Sequence, residues 1–76
     1  MNVYTISRNL TSLFTVNAES HEAAATKAAK RLTGRGLNTR RTTGDAGKSG
    51  YFQAYEPVPA TLGGGLNSVG EPFHVS

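Results

Sequence analysis

The chain contains no cysteine and no tryptophan. The missing cysteines exclude disulfides, thiolate zinc sites and cysteine nucleophiles together, and they fit a cytoplasmic protein. Acidic residues are scarce: five Asp and Glu stand against eight Lys and Arg, for a net charge of +3. No apolar run approaches the ~18 residues needed to span a bilayer. The first residues lack the charged start and apolar run of a signal peptide, so none is expected. Large apolar side chains are few, and much of the 37 % hydrophobic fraction is alanine. A chain of 76 residues makes one domain. At this size only about 60 % of the unfolded surface is buried. A thin core predicts marginal stability, or a homodimer that buries more surface.

The acids that are present avoid one region. Seven of the eight basic residues lie between Lys27 and Lys48: Lys27, Lys30, Arg31, Arg35, Arg40, Arg41 and Lys48. Asp45 alone opposes them there, so the local charge is +6. A solvated face that maintains solubility has a similar composition. The one-sided segregation favours a positive field aimed at phosphate or at an acidic protein surface.

The chain divides by pattern. Asn2 to Arg8 alternates, with Tyr4 and Ile6 on one face and Thr5 and Ser7 on the other. Period-two alternation of aromatic and β-branched residues predicts a half-buried strand. After a turn at Asn9-Leu10-Thr11, Ser12 to Asn17 alternates again and completes a hairpin. Ser20 is placed to cap a helix from His21 to Thr33, because its hydroxyl accepts from free N–H groups of the first turn. Glu19 and Glu22 suit the positive end of the helix dipole. Ala24, Ala28 and Leu32, widened by Ala25 and Ala29, form the buried stripe. Gly34 is the expected C-cap.

Leu37 to Thr43 and Tyr51 to Glu56 predict a second strand pair, joined by a turn over residues 44–50. Pro57 and Pro59 end it. Residues 57–76 are rich in Gly and lose any regular period. They predict an irregular tail whose apolar residues, Val58, Leu62, Leu66, Val69 and Phe73, allow it to pack on the domain. Phe73-His74-Val75 either docks as a short strand or hangs free.

The expected fold is therefore α+β: a ββαββ domain over residues 1–56, with a four-stranded antiparallel sheet and one helix on one face. Ile6, Phe14, Val16, Leu32 and Phe52 would meet between helix and sheet. The open face would show Thr5, Thr15, Tyr51, Gln53 and Tyr55.

Gly47-Lys48-Ser49 evokes a phosphate-binding loop. That motif needs a glycine where Thr42 stands and a helix starting at the lysine. A strand follows here instead, so the segment reads as a basic hairpin tip. Arg40 and Arg41 are adjacent on a strand and must point to opposite faces. One of them would join Tyr51, Gln53 and Tyr55 in a surface that stacks bases or anchors a protein, since Tyr and Arg suit both tasks. Ordinary cross-strand pairing explains the same residues without a ligand. His21 and His74 are far apart in sequence, and the carboxylates are scattered. No nucleophile, base and orienting group stand together, so the chain reads as a non-enzyme without cofactor or metal.

The run Phe14-Thr-Val-Asn-Ala-Glu-Ser, an Ala-rich helix, a basic strand and Tyr51-Phe-Gln-Ala-Tyr resemble small phage-encoded proteins. The plan is similar to that of a type I-F anti-CRISPR group over roughly residues 3–56. That group lacks the C-terminal tail. The resemblance implies a compact protein that binds a CRISPR surveillance complex in the cytoplasm of an infected bacterium, with basic residues competing for the surface that handles DNA. The alternative is a phage regulator or accessory protein that binds DNA or RNA directly. Both readings use the same residues: Lys27, Lys30, Arg31, Arg35, Arg40, Arg41, Lys48, Tyr51, Gln53 and Tyr55.

Overall fold

A computed structural model describes residues Met1–Ser76. Strands β1 (Asn2–Arg8) and β2 (Thr11–Ala18) form the first hairpin. Helix α1 (His21–Thr33) follows, then β3 (Asn38–Arg41) and β4 (Gly50–Pro57). A short 3-10 turn (Ala60–Leu62) leads into β5 (Leu66–Val75). The sheet is antiparallel throughout, with five strands in the order β2-β1-β5-β4-β3. The protein is elongated, with extents of 40 × 22 × 22 Å. No helix is long and apolar enough to cross a membrane.

The α+β class and the helix lie where the sequence puts them. The Ser20 hydroxyl accepts from the Ala23 N–H at 3.1 Å. Gly34 sits in the left-handed region at φ 73°, and its N–H donates to the Lys30 carbonyl. Ala24, Ala25, Ala28 and Ala29 are the buried residues of α1. Their short side chains let the helix axis approach the sheet closely, so the bulk of the core comes from the strands: Tyr4, Ile6, Phe52, Phe73 and Val75. Phe14, Val16 and Leu32 are only partly buried against them.

The four-stranded sheet with an irregular tail is corrected by β5. This strand is not appended to a finished domain; it lies at the centre of the sheet, hydrogen-bonded to β1 on one side and β4 on the other. Phe73 stacks on Phe52 with ring centroids 6.4 Å apart, and Val75 is paired with both Ile6 and Gly50. Glycine and proline hid the strand from a period-two reading. The register places Ala54 opposite Val69 and Phe52 opposite Phe73. Gln53 therefore faces a bulge of Gly70, Glu71 and Pro72. Extra residues on one strand break the alternation. Gly70 supplies the positive φ of 71° there, and Pro72 has no N–H to leave unpaired.

The first hairpin closes through Asn9 (φ 51°) and Leu10 (φ 63°). Two positive φ values define the tight turn that matches strand twist, and Asn-Gly is its favoured pair. Asn tolerates this conformation. Leucine pays roughly 1–2 kcal/mol of steric cost there.

Replacing Phe73 by Ala is expected to cost about 3–5 kcal/mol, as for a buried core aromatic. Urea unfolding followed by circular dichroism checks this. An unchanged midpoint would show that the C-terminal strand lies outside the core.

Candidate basic interface

The basic block is contiguous in sequence but is split by the sheet. Lys27, Lys30 and Arg31 are exposed on the outer side of α1. The Lys27 ammonium donates to the Asn17 carbonyl at the end of β2. The Arg31 guanidinium lies 4.3 Å from the Phe14 ring centroid. Both contacts draw these side chains toward the α1–β2 groove and restrict their rotamers. Neither contact neutralises the charge, because a carbonyl and an aromatic face carry no net charge.

Arg35, just beyond the helix, is paired with Glu56 of β4 at 2.5 Å. Arg41 is absorbed further. Strand alternation turns it under the helix, where its side chain is only 14 % exposed. It pairs with Glu22 at 2.7 Å and donates to the Lys48 carbonyl at 2.7 Å. Longer contacts reach the carbonyls of Thr43 and Ser49. Its guanidinium also lies 4.6 Å from the Phe52 ring centroid. Arg41 is thus a clamp that ties the helix start to the 43–49 loop. Glu22 completes the clamp by accepting from the Gly47 N–H at 3.2 Å. The loop is drawn tight: a Cβ on Gly50 would overlap the Thr43 carbonyl, and one on Gly44 would come within 2.6 Å of the Ser49 oxygen.

Arg40 points the other way. It is exposed and lies opposite Gln53, diagonal to Tyr51 and Tyr55 on the open face. Tyr51 is 43 % exposed and meets His74 edge-on at 4.9 Å. Tyr55 is half-buried. Gln53, expected on this open surface, is 7 % exposed. Its amide donates to the carbonyls of Ala54, Val69 and Gly70 at 3.1–3.2 Å, so its buried N–H groups are paired at the bulge. Lys48 sits on the clamped loop with its side chain exposed and no carboxylate partner.

Five of the seven block cations therefore keep their charge free: Lys27, Lys30 and Arg31 on the helix, Arg40 on the open sheet face, and Lys48 on the loop. Arg35 and Arg41 spend theirs inside the molecule. Sequence reasoning assigned Glu22 to the helix dipole alone. The carboxylate also partners Arg41, a contact across nineteen residues that no local pattern reveals. Phe14 as a platform for Arg31 and His74 as the neighbour of Tyr51 were likewise invisible, because both depend on which strands become neighbours.

The hydrogen bond from Arg41 lowers the Glu22 pKa from 4.5, helped by the Gly47 N–H and opposed by partial burial. A carboxylate whose folded pKa is depressed adds stability above its unfolded pKa and loses it as pH falls through the folded value. Stability is therefore expected to fall on acidification below the ordinary carboxylate range, and Glu22→Gln should flatten that part of the curve. Urea midpoints from pH 7 to pH 3 for both proteins measure the difference; parallel curves would exclude the clamp as the cause. No family model matches this chain and no curated protein is significantly similar to it.

Proposed function

We propose that this chain is a small non-enzymatic, phage- or mobile-element-encoded protein that inhibits a host nucleic-acid-handling complex by direct binding. The most concrete target is a CRISPR surveillance complex in the host cytoplasm. The observation that carries this reading is the outer side of α1, where Lys27, Lys30 and Arg31 stand free of acidic partners. Their spacing repeats at helical neighbours, so the charges form one ridge. Asn17 and Phe14 hold two of the three side chains in place, which lowers the ordering cost on binding. A groove that normally receives nucleic acid is positive and would repel such a ridge, so this reading departs from the direct competition for the DNA-handling surface that the resemblance implies. An acidic protein surface of the complex is the complementary partner.

A second reading is direct binding of DNA or RNA. It is favoured by Arg40 beside the exposed ring of Tyr51 and the half-buried Tyr55 on the open sheet face. Aromatic rings on a sheet stack bases, and a neighbouring Arg holds phosphate. The two readings use opposite sides of the molecule and are separable by substitution.

Lys27→Glu, Lys30→Glu and Arg31→Glu together are expected to abolish capture of the purified surveillance complex while leaving circular dichroism unchanged. Equal capture by this folded triple variant would sink the proposal. Fluorescence anisotropy with labelled duplex DNA, single-stranded DNA and RNA, over 50–200 mM salt, tests the second reading. Three phosphate contacts on duplex DNA give a log–log slope of about −3. Tight nucleic-acid binding that Arg40→Glu removes would replace the inhibitor reading with the direct one.

A further inference from the structure

Leu10 is 100 % exposed at the tip of the first hairpin, in a backbone conformation that a leucine adopts only at a cost. Glycine would close the same turn without that cost. A large apolar side chain that is both fully hydrated and strained does nothing for the isolated fold. Leu10 itself forms part of the rim of a cleft on the open face of the sheet, which Ser7, Arg8, Asn9, Tyr51 and His74 complete. The edge-on pair of Tyr51 and His74 forms its aromatic wall.

We infer that Leu10 is the anchor of a two-fold homodimer, in which the Leu10 of each copy enters the Tyr51–His74 cleft of the other. A knob and a hole side by side on one rim are self-complementary, which is the requirement of an isologous interface. The occupant is a second copy because the matching socket is present on this same chain. Charge does not oppose it. Although the chain carries +3 overall, the one cation lining the cleft, Arg8, lies 3.8 Å from Glu71 and also donates to the Glu71 carbonyl. A stable dimer buries about 800 Å² per partner. That is about a sixth of the 4723 Å² surface of this chain, so the contact must spread beyond the cleft. Leu13 and Val3 are also exposed on the first hairpin, on either side of the Thr5–Thr15 pair. The helix ridge of Lys27, Lys30 and Arg31 lies on the other side of the sheet and stays free for a different partner.

Sedimentation velocity of the full chain from 10 µM to 1 mM, at low and high salt, tests the dimer. The wild type is expected to shift from monomer to dimer with concentration, and no less readily at high salt, because an apolar contact is not screened. Leu10→Gly is expected to weaken association at least tenfold, the effect of losing a central anchor. Its thermal midpoint, measured where both proteins are monomeric, should lie at or above that of the wild type. Leu10→Asn, which also tolerates positive φ, should behave as Leu10→Gly does. A monomeric wild type throughout the range would overturn the inference, as would Leu10→Gly or Leu10→Asn dimerising as tightly as the wild type. Dimerisation that fades with salt and disappears in the triple glutamate helix variant would place the contact on the basic ridge instead, and would also overturn it.

Discussion

Strand β5 is the only strand hydrogen-bonded to both halves of the sheet. The β1–β2 hairpin and the β3–β4 pair never touch through the backbone; β5 joins them. On one side Ile6 and Ser7 face Val75 and His74, and Thr5 exchanges two main-chain hydrogen bonds with Ser76 at 2.8 and 3.0 Å. On the other side Phe73 rests on Phe52. The helix contributes alanines, so the aromatic pair and Val75 supply much of the apolar volume that covers them. A small domain with few large side chains depends heavily on each one. Seating Phe73 and Val75 is therefore the step on which helix docking, the bulge at Gln53 and the two faces of the sheet rest.

The same packing sorts the charges. Alternation along β3 sends Arg41 under the helix and Arg40 to the open face. Beneath the helix an unpaired guanidinium would carry a large desolvation cost. Glu22 and three loop carbonyls meet most of that demand through the two terminal nitrogens, leaving the buried Nε without a partner, and in doing so they fix the 43–49 loop against the start of α1. A cation that looked like part of a binding patch thus becomes a structural tie. The cations that remain free are those the fold gives no reason to neutralise, on the helix exterior, the open sheet face and the loop.

The open face shows the opposite economy. Tyr51, His74 and Leu10 expose apolar surface that an isolated monomer would do better to hide. The strained leucine and the neighbouring cleft are the features that the proposed dimer would cover. Natural proteins tolerate local strain where the surroundings or a partner compensate for it.

Period and capping chemistry in the sequence were enough to determine the first hairpin, the helix with both of its caps, the β4 strand and the α+β class, because these are local: side-chain alternation, a Ser hydroxyl over a free N–H, a glycine at positive φ. The concentration of cations was equally plain. Only the tertiary structure decided that residues 66–75 form the central strand, since a three-residue bulge built around Gly70 and Pro72 erases the alternation by which strands are recognised. Only the tertiary structure turned Gln53 inward, because an amide becomes buried when the carbonyls it can satisfy come from a strand sixteen residues away. Pairing of Arg41 with Glu22, Arg31 with Phe14 and Tyr51 with His74 is likewise decided across the sheet. Which charges are spent and which are left for a partner depends on neighbours in space, and spacing along the chain carries no record of them.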